Sequence, residues 1–286
     1  MTIVVSGAAV RLTGSGLGCD DWPNCNEQQL VDVSSGHAAI EQVNRLFTGL
    51  VAFAVIAAVL GSLWRVPRRR DLTWLSLGLV AGVLGQIVLG GITVLVDLHP
   101  LAVQGHMLLS QVLVATAVVL LRRAGEPDGP RRPIVDVGTT RWTWTLAGLT
   151  ALAIIAGTVV TGAGPHAGDE EVQRFGVDIS DAARVHSVLV LSAVALAACL
   201  GVRLQRGGEG RRVLQGPLSS WIFVAVLQGV IGYVQYFNDV PELLVGLHVA
   251  GATVLWAMTV WLVASTRAVT GPGTTESPAG QYVAAR

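Results

Sequence analysis

Seven runs of the chain contain no Asp, Glu, Lys or Arg for 18 residues or more: 46–64, 72–96, 98–121, 142–168, 185–202, 213–238 and 243–266. A helix rises about 1.5 Å per residue, so roughly 20 such residues cross a hydrocarbon layer of about 30 Å. Each run predicts a membrane-spanning helix, and seven in one chain exclude a soluble fold. Residues 1–10 are also apolar but too few to span, and no basic segment precedes them as in a signal peptide. They read as the tail of an eighth span that begins upstream of Met1, with a re-entrant half-helix as the alternative.

Charge gives the runs a direction. Only 13% of the 286 residues are charged, against about 25% in soluble domains. All nineteen basic residues are Arg, and fifteen follow residues 64, 121 and 202 or lie in the C-terminal tail. The opposite side has only Arg11, Arg45, Arg174 and Arg184, against thirteen of the nineteen acids. The positive-inside rule places the Arg-rich loops and the C-terminus in the cytoplasm of a multi-pass plasma-membrane protein. Segments 11–37 and 164–184 then lie outside, and membrane lipid is the surrounding partner. No basic cluster is interleaved with aromatics, so nucleic acid is not a partner.

The chain repeats itself. Gln86, Gly90, Asp97 and His106 recur 142 positions on as Gln228, Gly232, Asp239 and His248. Thr13-Gly14-Ser15-Gly16 is echoed by Thr161-Gly162-Ala163-Gly164, and new helices are expected to begin around Ala38 and Ala182. The expected fold is therefore an all-α membrane protein, an eight-helix bundle of two pseudo-symmetric four-helix halves in parallel repeat, its first helix truncated. The halves are 1–123 and 142–267, joined by a cytoplasmic linker, 124–141, and followed by a disordered tail, 268–286. Within each half one helical face reads Gln86, Gly90, Thr93, Asp97 or Gln228, Gly232, Gln235, Asp239. Such a polar, glycine-bearing stripe faces the bundle interior, where it admits a flat ligand to the backbone or packs a neighbouring helix.

Six histidines occur, and His106, His186 and His248 lie one to two turns inside the outer ends of spans. His186 and His248 stand on different helices of one half at similar depth, the requirement for clamping one heme iron between two imidazoles. His106 repeats the position of His248, while Asn44 stands where symmetry asks for a partner. A shallower pair, His37 and His99, is the alternative. Arg184 and Arg45 lie near the outer rim, where an Arg either pairs with a propionate or snorkels to the interface. Glu41, one turn outward of Asn44, is either a proton-handling carboxylate or a solvated acid at a helix start. Cys19 and Cys25, with five residues between them in the first outer loop, suit a disulfide better than a zinc pair. Cys199 lies inside a span and is expected to be a packing residue.

The segment from Val10 through Thr13-Gly-Ser-Gly16 to Cys19, followed by Asp21-Trp22-Pro23 and Cys25, resembles the first outer loop of heme A synthases. The likeness extends over nearly the whole chain, through Ile40-Glu41, the two Gln-Gly-Asp-His series and Arg184-Val-His186. It implies an eight-helix bundle with a heme b (iron) cofactor on His186 and His248, assisted by Arg184. It also implies a first-half site for the substrate heme O, built from His106, Asn44, Arg45 and Gln86. A catalytic Glu at Glu41 and a Cys19–Cys25 disulfide complete the implied set. The implied reaction oxidises a ring methyl of heme O to a formyl group, giving heme A for terminal oxidases, with electrons passed to an acceptor. Heme O synthase and oxidase assembly factors are the implied neighbours. The chain departs from the pattern at Asn44, where the family commonly has His, and in its short first span. A b-type cytochrome subunit that only relays electrons is the alternative function, and it calls for complete His pairs in both halves.

Overall fold

The computed structural model describes residues 1–169 and 171–269, with the side chains of residues 209 and 210 left aside. It contains eight helices: α1 (Thr2–Leu12), α2 (Gly36–Trp64), α3 (Arg70–Leu95), α4 (Pro100–Ala124), α5 (Val137–Ala163), α6 (Ile179–Gln205), α7 (Glu209–Phe237) and α8 (Glu242–Ala264). Helices α2 to α8 are long and apolar enough to cross a membrane, and α1 is an eleven-residue apolar helix. Large apolar side chains such as Leu46, Phe53, Leu191 and Phe223 point outward, as expected where the solvent is hydrocarbon. Cys199 is among the exposed residues of α6 rather than a packing residue.

Local chemistry explains where the helices start and stop. Ser35, Asp136 and Asp178 cap α2, α5 and α6 by accepting the amides of Ala38, Thr139 and Ser180. At the ends of α3 and α7 the same device appears twice. Leu98 N–H bonds to Thr93 O at 2.8 Å and Val240 N–H to Gln235 O at 2.9 Å, the six-residue closure of a Schellman turn. Asp97 and Leu98 have φ of 50° and 54°, and Asp239 and Val240 of 57° and 56°. Aspartate tolerates this left-handed conformation better than most residues. The two Asp of the repeat therefore serve the turns after α3 and α7, and the interior stripe stops short of them.

Each helix packs on its chain neighbours, and α4 and α8 join the halves. The join runs through equivalent positions. Gln111 Nε2 donates to Thr253 Oγ1 at 3.4 Å, and the cluster around it holds the equivalent pairs Met107 with Val249 and Val114 with Trp256. Contacts between matched residues of two repeats mark a pseudo-two-fold axis. The halves are not packed alike. The second has a large core in which Leu146, Leu200, Leu204, Leu214, Leu218 and Trp221 are fully buried or nearly so, with the Trp221 indole donating to Thr259 Oγ1. In the first half Val55, Leu79 and Val83 form a smaller cluster.

At the arginine-rich end, β1 (Arg131–Pro133) pairs antiparallel with β2 (Arg267–Val269). The linker expected at 124–141 thus contains a strand and the first turn of α5. Ala268 and Val269, expected in a disordered tail, are held in β2, because Arg131 reaches the carbonyls of Ala264 and Arg267 at 2.8 Å each. The rest of the expected tail, 270–286, lies outside the described residues.

Candidate functional site

In the second half, α6 and α8 bring the His186 and His248 rings face to edge, centroids 6.2 Å apart. His186 Nδ1 donates to Ala153 O on α5 at 2.8 Å. A carbonyl only accepts, so the proton sits on Nδ1 and Nε2 keeps its lone pair. Orientation of a ligating ring by a main-chain carbonyl is the usual outer support of a metal-bound histidine. Nδ1 of His248 is buried without a partner. Each ring rests on a glycine: a Cβ at Gly157 would lie 3.2 Å from His186 Cε1, and one at Gly232 3.2 Å from His248 Cε1.

Two imidazoles on opposite sides of one metal, each nitrogen about 2 Å from it, put their ring centres roughly 6 Å apart. The His186–His248 separation meets that requirement. Among the described residues no three His, Cys, Asp or Glu side chains converge on a common point. A metal held here needs its remaining ligands from a group that brings them along, which is what a porphyrin does.

The first half repeats half of this arrangement. His106 on α4 faces Gly90 on α3, whose Cβ would lie 3.2 Å from His106 Nε2, as Gly232 faces His248. Gln86 Nε2 donates to His106 O at 3.1 Å and to Ser110 Oγ at 2.8 Å. Its Oε1 is buried without a partner, as is that of Gln228. Asn44 occupies the His186 position: its Oδ1 accepts from Ser6 Oγ at 2.8 Å, and a Cβ at Gly7 of α1 would lie 3.9 Å from it, as Gly157 of α5 faces His186. With Oδ1 engaged, the group Asn44 has left is a neutral amide donor.

The shallower histidines have other tasks. His37 is exposed and bonds Ser15 Oγ at 2.9 Å; His99 caps α4 by accepting the Leu101 amide at 3.3 Å; His166 bonds Val240 O at 2.7 Å. Glu41 is buried, 6% exposed, beneath the loop between α1 and α2. Its Oε2 accepts the Cys19 amide at 2.8 Å, and its Oε1 accepts from Arg45 Nη2 at 2.7 Å and Nε at 3.2 Å. Arg45 also binds the carbonyls of Pro23 and Asn24 at 3.2 Å each. Cys19 and Cys25 are disulfide-bonded, and Trp22 lies against Gly91, next to Gly90. The loop is thus clamped onto α2 and α3 at the mouth of the first half. Arg184 is not brought to the histidines: it is exposed and paired with Asp181 at 2.8 Å.

Sequence reasoning missed Ala153, Gly157, Ser6 and Gly7, the residues that position 186 and 44. A signal was present, since Gly7 and Gly157 stand at matching places in the first helix of each half, two positions out of register with the Thr-Gly echo.

The profile of the cytochrome oxidase assembly protein family (COX15-CtaA) matches two overlapping stretches, residues 1–41 and 28–168. The chain is 27% identical over 318 residues to a heme A synthase of Bradyrhizobium sp. (strain ORS 278), covering 90% of this chain and 85% of that one. It is 29% identical over 164 residues to a heme A synthase of Shouchella clausii, covering 56% of this chain and 54% of the relative. A protoheme IX farnesyltransferase of Chloroflexus aurantiacus is 29% identical over 179 residues, 57% of this chain and 30% of that protein. The alignment thus spans about half the length of the Shouchella relative and most of the Bradyrhizobium one. With the profile covering more than half of its residues, from α1 to α5 and including Glu41, Asn44 and His106, this chain belongs to the cytochrome oxidase assembly protein family.

Proposed function

We propose that the chain is a heme A synthase, an oxidoreductase that converts a ring methyl of heme O to a formyl group. The observation that carries this reading is the unequal pair of histidine sites on one repeated scaffold. One half offers two facing imidazoles at 6.2 Å; the other offers His106, an amide at Asn44 and a buried carboxylate one turn away at Glu41. A relay cytochrome calls for matched imidazole pairs in both halves, and position 44 breaks the match. The names of the Bradyrhizobium and Shouchella relatives support the same activity.

In this reading His186 and His248 hold heme b. Bound there, that group would supply one-electron redox chemistry. His106 holds the substrate heme O by one axial bond, with Gln86 and Asn44 beside it. Glu41 takes up protons as the methyl carbon is oxidised, a four-electron change in which water supplies the formyl oxygen and the electrons go to the acceptor, and Arg45 fixes that carboxylate and the loop above it. Hydrophobic helices confine both porphyrins to the bundle, where water is scarce and a reactive intermediate is protected. The arginine distribution supports a cell-membrane protein with its C-terminus on the cytoplasmic side. An enzyme that makes heme O supplies the substrate, and terminal-oxidase assembly consumes the product.

The test is expression in cells that make heme O but no heme A, followed by heme extraction and chromatography. Heme A in the extract, with a b-type low-spin spectrum in the purified protein, is the expected result. Bound heme b with heme O unchanged overturns the proposal in favour of the relay.

A further inference from the structure

At the arginine-rich end, the α2–α3 connection, the end of α4 and the β1–β2 pair enclose a cavity of about 620 Å³. Six arginines line it: Arg68, Arg69, Arg70, Arg123, Arg131 and Arg267. Two carboxylates, Asp71 and Asp128, share the lining. Asp71 fixes Arg69 at 2.9 Å and Arg123 at 3.1 Å, and Asp128 is held by Arg65 at 2.9 Å. Glu126, just outside, takes Arg131 at 2.9 Å. Arg68, Arg70 and Arg267 are exposed and have no carboxylate partner among the described residues. A concave wall with a surplus of guanidinium groups, some held rigid and others free, suits an anion with several oxygens.

The depth of the cavity narrows the class of anion. Arg70 begins α3 and Arg123 ends α4, so the lining lies where spans leave the hydrocarbon. Trp64 at the end of α2 and Trp74 one turn into α3 are 76% and 72% exposed, the position of an aromatic belt at the membrane interface. Lipid phosphates lie at that level. In the second half Arg203 and Arg211 both close on Asp136 at 2.7 Å, and the exposed Arg206 and Arg212 lie outside this cavity.

We propose that this cavity is a binding site for a phosphate-bearing anion, with Arg68 and Arg70 as its free guanidinium arms. An anionic phospholipid headgroup and free inorganic phosphate share this chemistry, and the experiment separates them. The full-length protein is purified in detergent and presented with phosphatidylglycerol or phosphatidylcholine, and bound lipid is counted by native mass spectrometry. In parallel its melting temperature is followed with inorganic phosphate against chloride at equal ionic strength. Two double variants, each removing two exposed arginines, are compared: Arg68→Gln with Arg70→Gln, and Arg206→Gln with Arg212→Gln in the second half. A lipid-filled site retains phosphatidylglycerol selectively, loses roughly tenfold in affinity in the first double variant and stays within about twofold in the second. Stabilisation by phosphate alone, lost only in the first double variant, assigns the site to the free anion. Equal loss in both variants, or no dependence on either anion in the unaltered protein, overturns the site, because only general surface charge is then at work.

Discussion

Glu41 has two possible jobs, and its neighbours allow them to be separated. The proposed catalytic role needs the carboxylate; the loop clamp needs the pair with Arg45. Breaking a fully buried ion pair from one side costs about 3–5 kcal/mol, and an exposed pair contributes about 1 kcal/mol or less. The Arg45 and Glu41 side chains are 26% and 8% exposed, between those limits. Arg45→Gln strands the carboxylate with one remaining donor, the Cys19 amide, and frees the loop carbonyls of Pro23 and Asn24. About 2–3 kcal/mol of destabilisation is expected. Glu41→Gln keeps an oxygen for Arg45 and the shape of the side chain but loses the charge and the acceptor of the Cys19 amide, about 1–2 kcal/mol. Stability and activity should therefore rank the two variants in opposite orders. Glu41→Gln melts above Arg45→Gln yet accumulates heme O; Arg45→Gln melts lower yet makes heme A at reduced temperature. The assays are thermal unfolding in detergent and heme chromatography at equal amounts of folded protein. If formyl production instead falls in step with melting temperature in both variants, Glu41 is a clamp and the catalytic assignment fails.

Three further outcomes are expected. His186→Ala and His248→Ala should each abolish a low-spin b-type spectrum while leaving the helical circular dichroism intact; an unchanged spectrum in either would remove the pair as ligands. His106→Ala should stop heme A formation with heme b still bound, whereas His37→Ala, which loses only a bond to Ser15, should keep most activity; the reverse pattern would move the substrate to the shallower histidines. At the arginine-rich end, bonds from Thr139 above all, then from Arg211 and Arg203, hold the Asp136 carboxyl below the usual carboxylate range. A depressed folded pKa gives stability that is full above the unfolded value, about 3.9, and is lost as pH falls toward the folded one. Because Asp136 is partly exposed and is also an N-cap, Asp136→Asn should cost about 1 kcal/mol near neutral pH, and the gap should close progressively below about pH 4. A pH-independent gap in melting temperature would show that the charge contributes nothing.

The spans were readable because charge is nearly forbidden in hydrocarbon, so its absence over 18 residues is a strong signal. The repeat was readable for a related reason: Gly90 and Gly232 each meet a histidine ring, and neither position accepts a larger residue without moving it. Sequence spacing fixes position along a helix more directly than the contacts a side chain makes around it. Arg184 lies two residues from His186, about 200° around the helix, and its exposed guanidinium pairs with Asp181. Asp97 and Asp239 sat on the correct face by period, but the helix ends before them and their carboxylates belong to a turn. The β1–β2 pair joins residues 131–133 to 267–269, and three-residue strands paired over that separation leave almost no local pattern.

The difference between the halves follows from a few residues acting in one direction. In the second half both proposed ligands are imidazoles, one is oriented by the Ala153 carbonyl, and on the arginine side lies a core of buried Leu and Trp221. Such a site would hold an iron by two strong bonds and resist rearrangement, which suits a cofactor that must stay. In the first half the partner of His106 is an amide whose oxygen already accepts from Ser6, and the apolar cluster is smaller. One strong axial bond, with an unpartnered Gln86 oxygen beside it, favours a ligand that arrives, reacts and leaves. Asn44→His tests this directly, because it restores the second imidazole without altering the turns, glycines or loop that the halves share. The variant should convert the first-half heme to a six-coordinate, low-spin form that no longer binds carbon monoxide, and heme A release should slow as the substrate is retained. Carbon monoxide binding equal to that of the unaltered protein would mean that position 44 does not face the iron, and the asymmetry would then have to arise from packing alone.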